Sequence, residues 1–363
     1  MIRLLYTING LRVNGMSAVI MQYIAGLDPQ EYKISLFTDE IAPQFRLELN
    51  KHNVEIITSG NRRRNQLAYY KELKQILKEH QFDIIHAHGN SATLAVEMLA
   101  AKKCGVKVRI AHSHNTTCVH KVLDKMLRPV FYKCYTHGIG CGVEAGRWLF
   151  GSHPHVVIKN GVNLKKYAFD TLNREAVQKE LGILNKRVIG HIGRFTEQKN
   201  HDYIIDVFEL YHKTAPDTVL ILAGDGPRFE EIKQRIKEKG LDDCIILYGT
   251  TPNTSVLYSS FDVFIFPSLF EGVPLTLIEA QANGVPCLIS DKISSEVILT
   301  DLIHVLPLSE PSEWVKSLQT AELQNRQDKS VKAVKVLESA GFEIDSVLKQ
   351  IDDFYKSCLG SKQ

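Results

Sequence analysis

Glu271 and Glu279 stand eight residues apart in FIFPSLFEGVPLTLIEAQANGVP, residues 264–286. Eight helical steps of about 100° would leave them about 80° out of register. The spacing therefore favours Glu271 in a loop and Glu279 about one turn inside a helix that runs from Pro274 to Asn283 and is closed by Gly284 and Pro286. Between the two glutamates, Gly272, Val273 and Leu275 can aim backbone N–H groups at one point beside the positive end of the helix dipole, which suits an anion. Carboxylates flanking such a cradle repel the anion and are better used accepting hydrogen bonds from hydroxyls, as sugars and riboses supply. Phosphate beside polyol describes a sugar nucleotide. The bland alternative is a surface helix with two solvated glutamates.

The whole segment resembles the signature of the retaining glycosyltransferases of family four, which have the GT-B fold: a PSLFEG loop, a second glutamate, and an EAQA-type helix. GRFTEQKNHDYIIDVF, residues 193–208, is similar to a second motif of that family. There Arg194 and Lys199, in the loop and at the start of a helix, can converge on one diphosphate. The resemblance implies an α/β chain of two Rossmann-like, doubly wound parallel-sheet domains with an interdomain cleft. It implies transfer of a sugar from a nucleotide donor, expected to be a UDP-sugar, although no residue reads out the base.

In that reading Arg194 and Lys199 stabilise charge on the leaving diphosphate, a term catalysis needs only in the transition state. Glu279 holds the ribose hydroxyls and Glu271 a sugar hydroxyl. Gly272, Val273, Leu275 and Thr276 present the phosphates with amides, Gly193 lies beside the cations, and Tyr248 and Gly249 lie beside the base. His114, in RIAHSHNT, falls where the family places a histidine that contacts the transferred sugar. No Asp-x-Asp motif stands at a strand end, so no metal and no other cofactor is expected. The segments look most like the subgroup that assembles exopolysaccharide, capsule or other cell-surface glycans on lipid carriers. Two other readings share the architecture: a sugar-nucleotide epimerase and a non-catalytic, sugar-nucleotide-binding partner of another glycosyltransferase.

Composition sets the frame for these residues. With 363 residues, 44% hydrophobic and 23% charged, the chain reads as a soluble globular protein of two or three domains. No apolar run reaches the length of a membrane span, and the opening MIRLLYTINGLRVNG is too short in apolar residues for a signal peptide. A cytoplasmic protein is expected. Seven cysteines without Cys-x-x-Cys spacing argue for reduced thiols and against structural zinc at cysteine. Net charge is +3, but residues 1–168 carry 23 Lys and Arg against 12 Asp and Glu, the remainder 21 against 29. A basic front half suggests an anionic partner there, a lipid diphosphate or the inner membrane surface. No basic stripe interleaved with aromatics suggests nucleic acid.

Strand-like runs at 2–8, 33–37, 54–57, 84–86 and 108–112 alternate with helical patterns at 16–26 and 67–80, as a doubly wound sheet requires. Gly15, in the loop after the first run, is either a point of backbone approach to a ligand or a turn glycine. Arg62, Arg63 and Arg64 make a solvated loop or a contact to acidic headgroups or an acceptor diphosphate. His86, His88 and His112 sit at strand carboxyl ends with His114, where open sheets place ligands. A metal there lacks a completing Asp or Glu. VHKVLDKMLRPVFYKC, residues 119–134, is amphipathic: core-facing with a basic solvated side, or a membrane-surface element. HGIGCGVEAG, residues 137–146, is a weak dinucleotide fingerprint, the only support for a nicotinamide enzyme, and reads as a late strand with Glu144 near the acceptor. The resulting division is an acceptor-binding domain over 1–166, a donor-binding domain over 167–340, and a closing helix over 341–363. Further runs at 188–193, 219–223, 245–249 and 263–266 supply strands of the second domain.

Overall fold

Apolar residues run nearly unbroken along the strand segments and recur at helical spacing between them, and a computed structural model resolves them into two parallel sheets. Residues 1–12, 14–62, 64–321 and 325–360 are described. The chain divides into two compact units, Met1–Gly161 with the chain from Ile344 onward, and Val162–Glu343.

The first unit contains β1 (Ile2–Ile8), β2 (Tyr32–Thr38), β3 (Glu55–Thr58), β4 (Ile84–Gly89), β5 (Val108–Ser113), β6 (His137–Gly140) and β7 (Val156–Val157), in the order β3-β2-β1-β4-β5-β6-β7. Every pairing is parallel. Side chains of β1 go alternately to two cores. Leu4, Tyr6 and Ile8 meet the helix Gly15–Gly26 and the closing helix Ile344–Gly360, through Val19, Tyr23, Val347 and Tyr355. Leu5 goes to the opposite face, where Leu73, Met98 and Phe131 come from three other helices. A sheet covered on both faces needs such two-sided apolar strands.

The second unit repeats the design with β8 (Arg187–Ile192), β9 (Thr218–Ala223), β10 (Ile245–Gly249), β11 (Val263–Phe266), β12 (Cys287–Ser290) and β13 (Ile303–Leu306), ordered β10-β9-β8-β11-β12-β13 and again all parallel. In each sheet the order reverses beside the unit's first strand, between β1 and β4 and between β8 and β11. The loops leaving those strands at their carboxyl ends flank a crevice suited to a ligand.

Two local expectations need correction. Pro274 caps the helix Leu275–Ala282 from outside, at φ −70° and ψ 121°, rather than opening its first turn. The segment 119–134 forms the helix Lys121–Cys134, but the core-facing reading holds only for Leu127 and Phe131, and the rest of its apolar stripe does not face the core. Asp124 turns inward, accepting from the Ala92 N–H at 2.7 Å and from Arg128 Nε at 2.9 Å, while Val119, Val122 and Met126 point outward. A satisfied buried carboxylate thus sets the helix's rotation against its simple hydrophobic pattern.

Candidate active site

β8 delivers Gly193 and Arg194 into the crevice, and β11 delivers the loop Pro267–Gly272. Lys199 lies in a 3₁₀ turn, Glu197–Lys199, ahead of the helix His201–His212. Its ammonium contacts Glu271 Oε1 at 2.7 Å, with the side chains 15% and 13% exposed, and lies 4.3 Å from the Phe266 ring centre. The pair is held by the backbone as much as by its own charge. The Leu269 N–H donates to Gln198 O at 2.8 Å, the Gln198 side-chain amide to Phe270 O at 2.9 Å, and that of Asn200 to Pro267 O at 3.2 Å. Three bonds between the two loops fix where the cation and the carboxylate can meet.

Arg194 is exposed and takes no ion-pair partner among the described residues. Its loop is clamped by the Gly224–Gly226 turn. Phe195 N–H donates to Asp225 O at 3.0 Å and Arg228 N–H to Phe195 O at 3.1 Å. Gly224 has φ +142°, and a Cβ there would stand 2.0 Å from Gly193 O, so only glycine permits this approach. Tyr248 and Gly249 end β10, and Gly249 O accepts from the Gly224 N–H at 2.8 Å, which ties that strand end to the same turn.

Gly272 and Val273 precede Pro274, whose side chain gives no cap to the helix Leu275–Ala282. The hydroxyl of Thr276 is buried without a protein partner among the described residues, and so is that of Ser268 in the Pro267–Gly272 loop. Glu279 sits in the second turn. Tyr258 donates to Glu279 Oε2 at 2.9 Å and the Tyr167 hydroxyl also bonds the carboxylate, yet burial still raises the Glu279 pKa. Tyr258 is steadied in turn by Arg326, a buried guanidinium donating to the carbonyls of Tyr258, Ser259 and Phe261 at the end of the helix Thr254–Ser260. Neither tyrosine nor Arg326 was legible as part of the site, because each reaches it from a distant part of the chain.

Two histidines also escaped notice. His191 Nδ1 lies 2.8 Å from Ile265 O; a carbonyl only accepts, so Nδ1 carries the proton and Nε2 the lone pair. His201 stacks on Phe195 at 4.1 Å, buried, with both ring nitrogens unpartnered among the described residues. Burial, and then nearby cations, pull His201 down to about 3.

In the first unit Gly15 opens the helix Gly15–Gly26, capped by Asn14, whose side chain accepts from the Ser17 N–H at 3.0 Å. A Cβ at Gly15 would meet nothing within 4 Å and its φ is ordinary, so the turn itself does not need glycine. His114 follows β5, half-buried, its Nε2 2.9 Å from His88 Nδ1, and desolvation holds it down at about 3. Arg62 belongs to neither expected reading: it is buried and paired with Glu97, and donates to Tyr69 OH at 2.9 Å. Arg64 is exposed, and Arg63 lies outside the described residues. Glu144 is on the helix Val143–Phe150, exposed, and bonds Arg147 at 2.6 Å.

Residues 13–166 match the family described as Glycosyltransferase Family 4, and residues 173–333 that described as Glycosyl transferases group 1. A Bacillus subtilis (strain 168) protein named putative glycosyltransferase EpsF is 31% identical over 348 residues, 89% of this chain and 88% of that protein. The chain belongs to glycosyltransferase family four. An Escherichia coli protein named UDP-Gal:alpha-D-GlcNAc-diphosphoundecaprenol alpha-1,3-galactosyltransferase is 27% identical over 305 residues, 77% of this glycosyltransferase and 76% of its own length. Among solved structures, Anabaena HepE in complex with UDP-glucose superposes with TM-score 0.80 at 19% identity, over 98% of this glycosyltransferase and 100% of that chain. WaaG, a glycosyltransferase involved in lipopolysaccharide biosynthesis, does so with TM-score 0.75 at 13% identity, over 97% and 99%. Those likenesses establish the fold of this glycosyltransferase as GT-B.

Proposed function

We propose that this glycosyltransferase moves a sugar from a UDP-sugar, with retention of anomeric configuration, to a glycan or lipid-linked acceptor in cell-surface polysaccharide synthesis. The observation that carries this reading is the Lys199–Glu271 pair, fixed by three bonds between its loops beside a helix start without a side-chain cap. An incoming diphosphate competes with Glu271 for the ammonium, and Arg194 adds a second cation. As the bond from the anomeric carbon to phosphate oxygen breaks, its electron pair leaves on the diphosphate, where both cations stabilise it, while an acceptor hydroxyl oxygen bonds that carbon and gives its proton to the leaving phosphate oxygen. Glu271, released from Lys199, accepts from a sugar hydroxyl, and Glu279 accepts from the ribose. His114 serves the transferred sugar in the same scheme. With two cations doing this electrostatic work, no divalent ion is required at the diphosphate. The UDP donor is supported by the UDP-glucose complex of HepE, and the lipid-linked acceptor by the name of the E. coli relative.

The deciding experiment is thermal stability against UDP, GDP, ADP and their sugars, with Lys199→Ala and Glu279→Ala beside the unchanged protein. A shift with uridine nucleotides alone, weakened by both substitutions, supports the reading; no shift with any of them in folded protein sinks it. Product anomeric configuration, read by NMR, tests retention. Turnover lost in a chelator and restored by Mg²⁺ or Mn²⁺ would contradict metal-independent transfer.

We further infer that the first unit rests on the cytoplasmic face of an anionic membrane through the helix Lys121–Cys134. Val119, Val122, Leu123, Met126 and Val130 form an exposed crest, Val122 76% and Met126 71% exposed, and Lys121, Lys125 and Lys133 are exposed on the same helix. Exposed apolar residues among lysines suit the boundary between acyl chains and acidic headgroups. No helix among the described residues is long and apolar enough to cross a membrane. Flotation with vesicles containing phosphatidylglycerol should recover the protein, and Val122→Ser with Met126→Ser should leave it behind. Equal recovery of both would overturn this reading.

A further inference from the structure

The carboxyl ends of β4 and β5 place four imidazoles on one face of the first sheet. His88 stands opposite His112 in the strand register, with His86 two residues before the one and His114 two after the other. The ring centres lie 4.2 Å apart for His86 and His88, 4.0 Å for His112 and His114, and 5.2 Å for both His86–His112 and His88–His112. His86, His88 and His112 are buried and His114 is half-buried. His86 Nδ1 is 2.6 Å from the Tyr355 hydroxyl, which is 3.1 Å from that of Tyr6. His88 Nε2, His112 Nε2 and His114 Nδ1 have no partner among the described residues. Orphaned nitrogens on adjoining buried rings are unusual in a native core, and His88 Nε2 in particular is left without a protein group to meet.

We propose that His86, His88 and His112 hold one divalent transition-metal ion of the zinc class, each through one ring nitrogen. Donor atoms of the three lie within 4.8 Å of one another. His86 Nε2 and His112 Nδ1 lie 3.1 Å apart in a hydrogen bond that the ion would replace, close to the roughly 3.3 Å expected of two nitrogens on a tetrahedral zinc with bonds of about 2.0–2.1 Å. Three imidazoles without a carboxylate select Zn²⁺, Co²⁺, Ni²⁺ or Cu²⁺ over Mg²⁺, Ca²⁺ or Mn²⁺. Tyr355 then orients His86 through its other nitrogen, as partners of metal-bound histidines do. The sequence argued against a metal because no Asp or Glu completed the set; the register of β4 on β5 supplies a third histidine instead.

The ion has a consequence for His114 that rests on the transfer reading above. With His88 bound through Nε2, its Nδ1 carries the proton and donates to His114 Nε2. His114 must then carry its own proton on Nδ1 and present an N–H donor to a substrate oxygen. The ion positions a side chain here, and takes no part at the diphosphate.

The test uses the full chain without a histidine tag, grown with added zinc and dialysed. About one equivalent of metal by mass spectrometry is expected, with an X-ray absorption shell of nitrogens at about 2.0–2.1 Å and no sulfur. His88→Ala should lose the metal and His304→Ala, at an exposed site in the second unit, should keep it. Tyr355→Phe should weaken metal affinity by about 10–100-fold. Less than about 0.1 equivalent after Zn²⁺ or Co²⁺ loading, a sulfur shell, or equal metal in His88→Ala overturns the proposal, and the absorption measurement on the unchanged protein decides even if variants fail to fold. A UDP-induced thermal shift without metal sinks this proposal alone; metal without any nucleotide shift sinks the transfer reading alone.

Discussion

Beyond β8 and β11 the second unit gathers charge: an exposed Arg194, the Lys199–Glu271 pair, and Glu279 under two tyrosines. At the same topological position the first unit gathers three buried histidines and a half-buried fourth, His114, all kept neutral by desolvation. The backbone plan is shared, so the difference is one of solvation. A charged pair can survive near the surface because each member offsets the other's desolvation and an anionic ligand can take one member's place. A closed grid of imidazoles stays neutral and can offer only lone pairs and N–H groups. The first arrangement fits a diphosphate, the second a metal ion or a hydroxyl.

The sharpest way to break that contrast is Lys199→Ala. It removes the cation and leaves Glu271 facing the diphosphate, so kcat should fall about 10²–10³-fold, as for loss of a group aimed at developing charge. Steady-state kinetics with donor saturating would show it. Retained kcat with only a raised KM would reduce Lys199 to a ground-state binding group.

Glu279→Gln should separate binding from folding. Burial raises the Glu279 pKa in the folded protein, so above the ordinary carboxyl range its ionisation costs stability, and the loss grows as pH rises toward the folded value. Glutamine removes that cost and keeps an acceptor for Tyr258. The variant should therefore melt at or above the parent temperature at pH 7.5 while donor affinity, read by calorimetry, drops about tenfold through loss of a charge-assisted hydrogen bond. Unfolding at lower temperature would show that the carboxylate holds Tyr258 and Tyr167 in place.

What could be read beforehand divides along the same line. The 264–286 stretch carried its own strand, loop and helix signals, and Arg194 with Lys199 lay in one short turn, so their grouping needed only local geometry. Tyr258 meets Glu279 from a separate helix and Tyr167 from the start of the unit, contacts that no spacing rule encodes. β7 is two residues long, too short for a periodic signal. For Lys121–Cys134 the pattern leaves both a core-facing and a membrane-surface reading open, because it treats Asp124 as solvated, whereas the Ala92 N–H and Arg128 draw it inward. Each histidine was visible singly, but their grid depends on β4 pairing with β5 in one register.

The smallest expected effect tests whether the charged site also depends on neutral rings behind it. His201 faces Lys199 and Arg228 and begins the helix that carries Asp202, and its pKa of about 3 compares with 6.5 when unfolded. As pH falls below 6.5 the unfolded chain takes up a proton that the folded chain refuses, so this contribution to stability is whole above that pH and is lost progressively toward 3. From pH 7 to 5.5 the loss amounts to about 1.3 kcal/mol for one such group. His201→Phe should keep the stack on Phe195, remove two unpartnered nitrogens, raise stability at pH 7 and flatten that part of the acid limb in urea titrations. An unchanged acid limb with lower stability at pH 7 would mean that a water or a substrate-side group satisfies the ring, and that His201 belongs to the charged site rather than to the packing behind it.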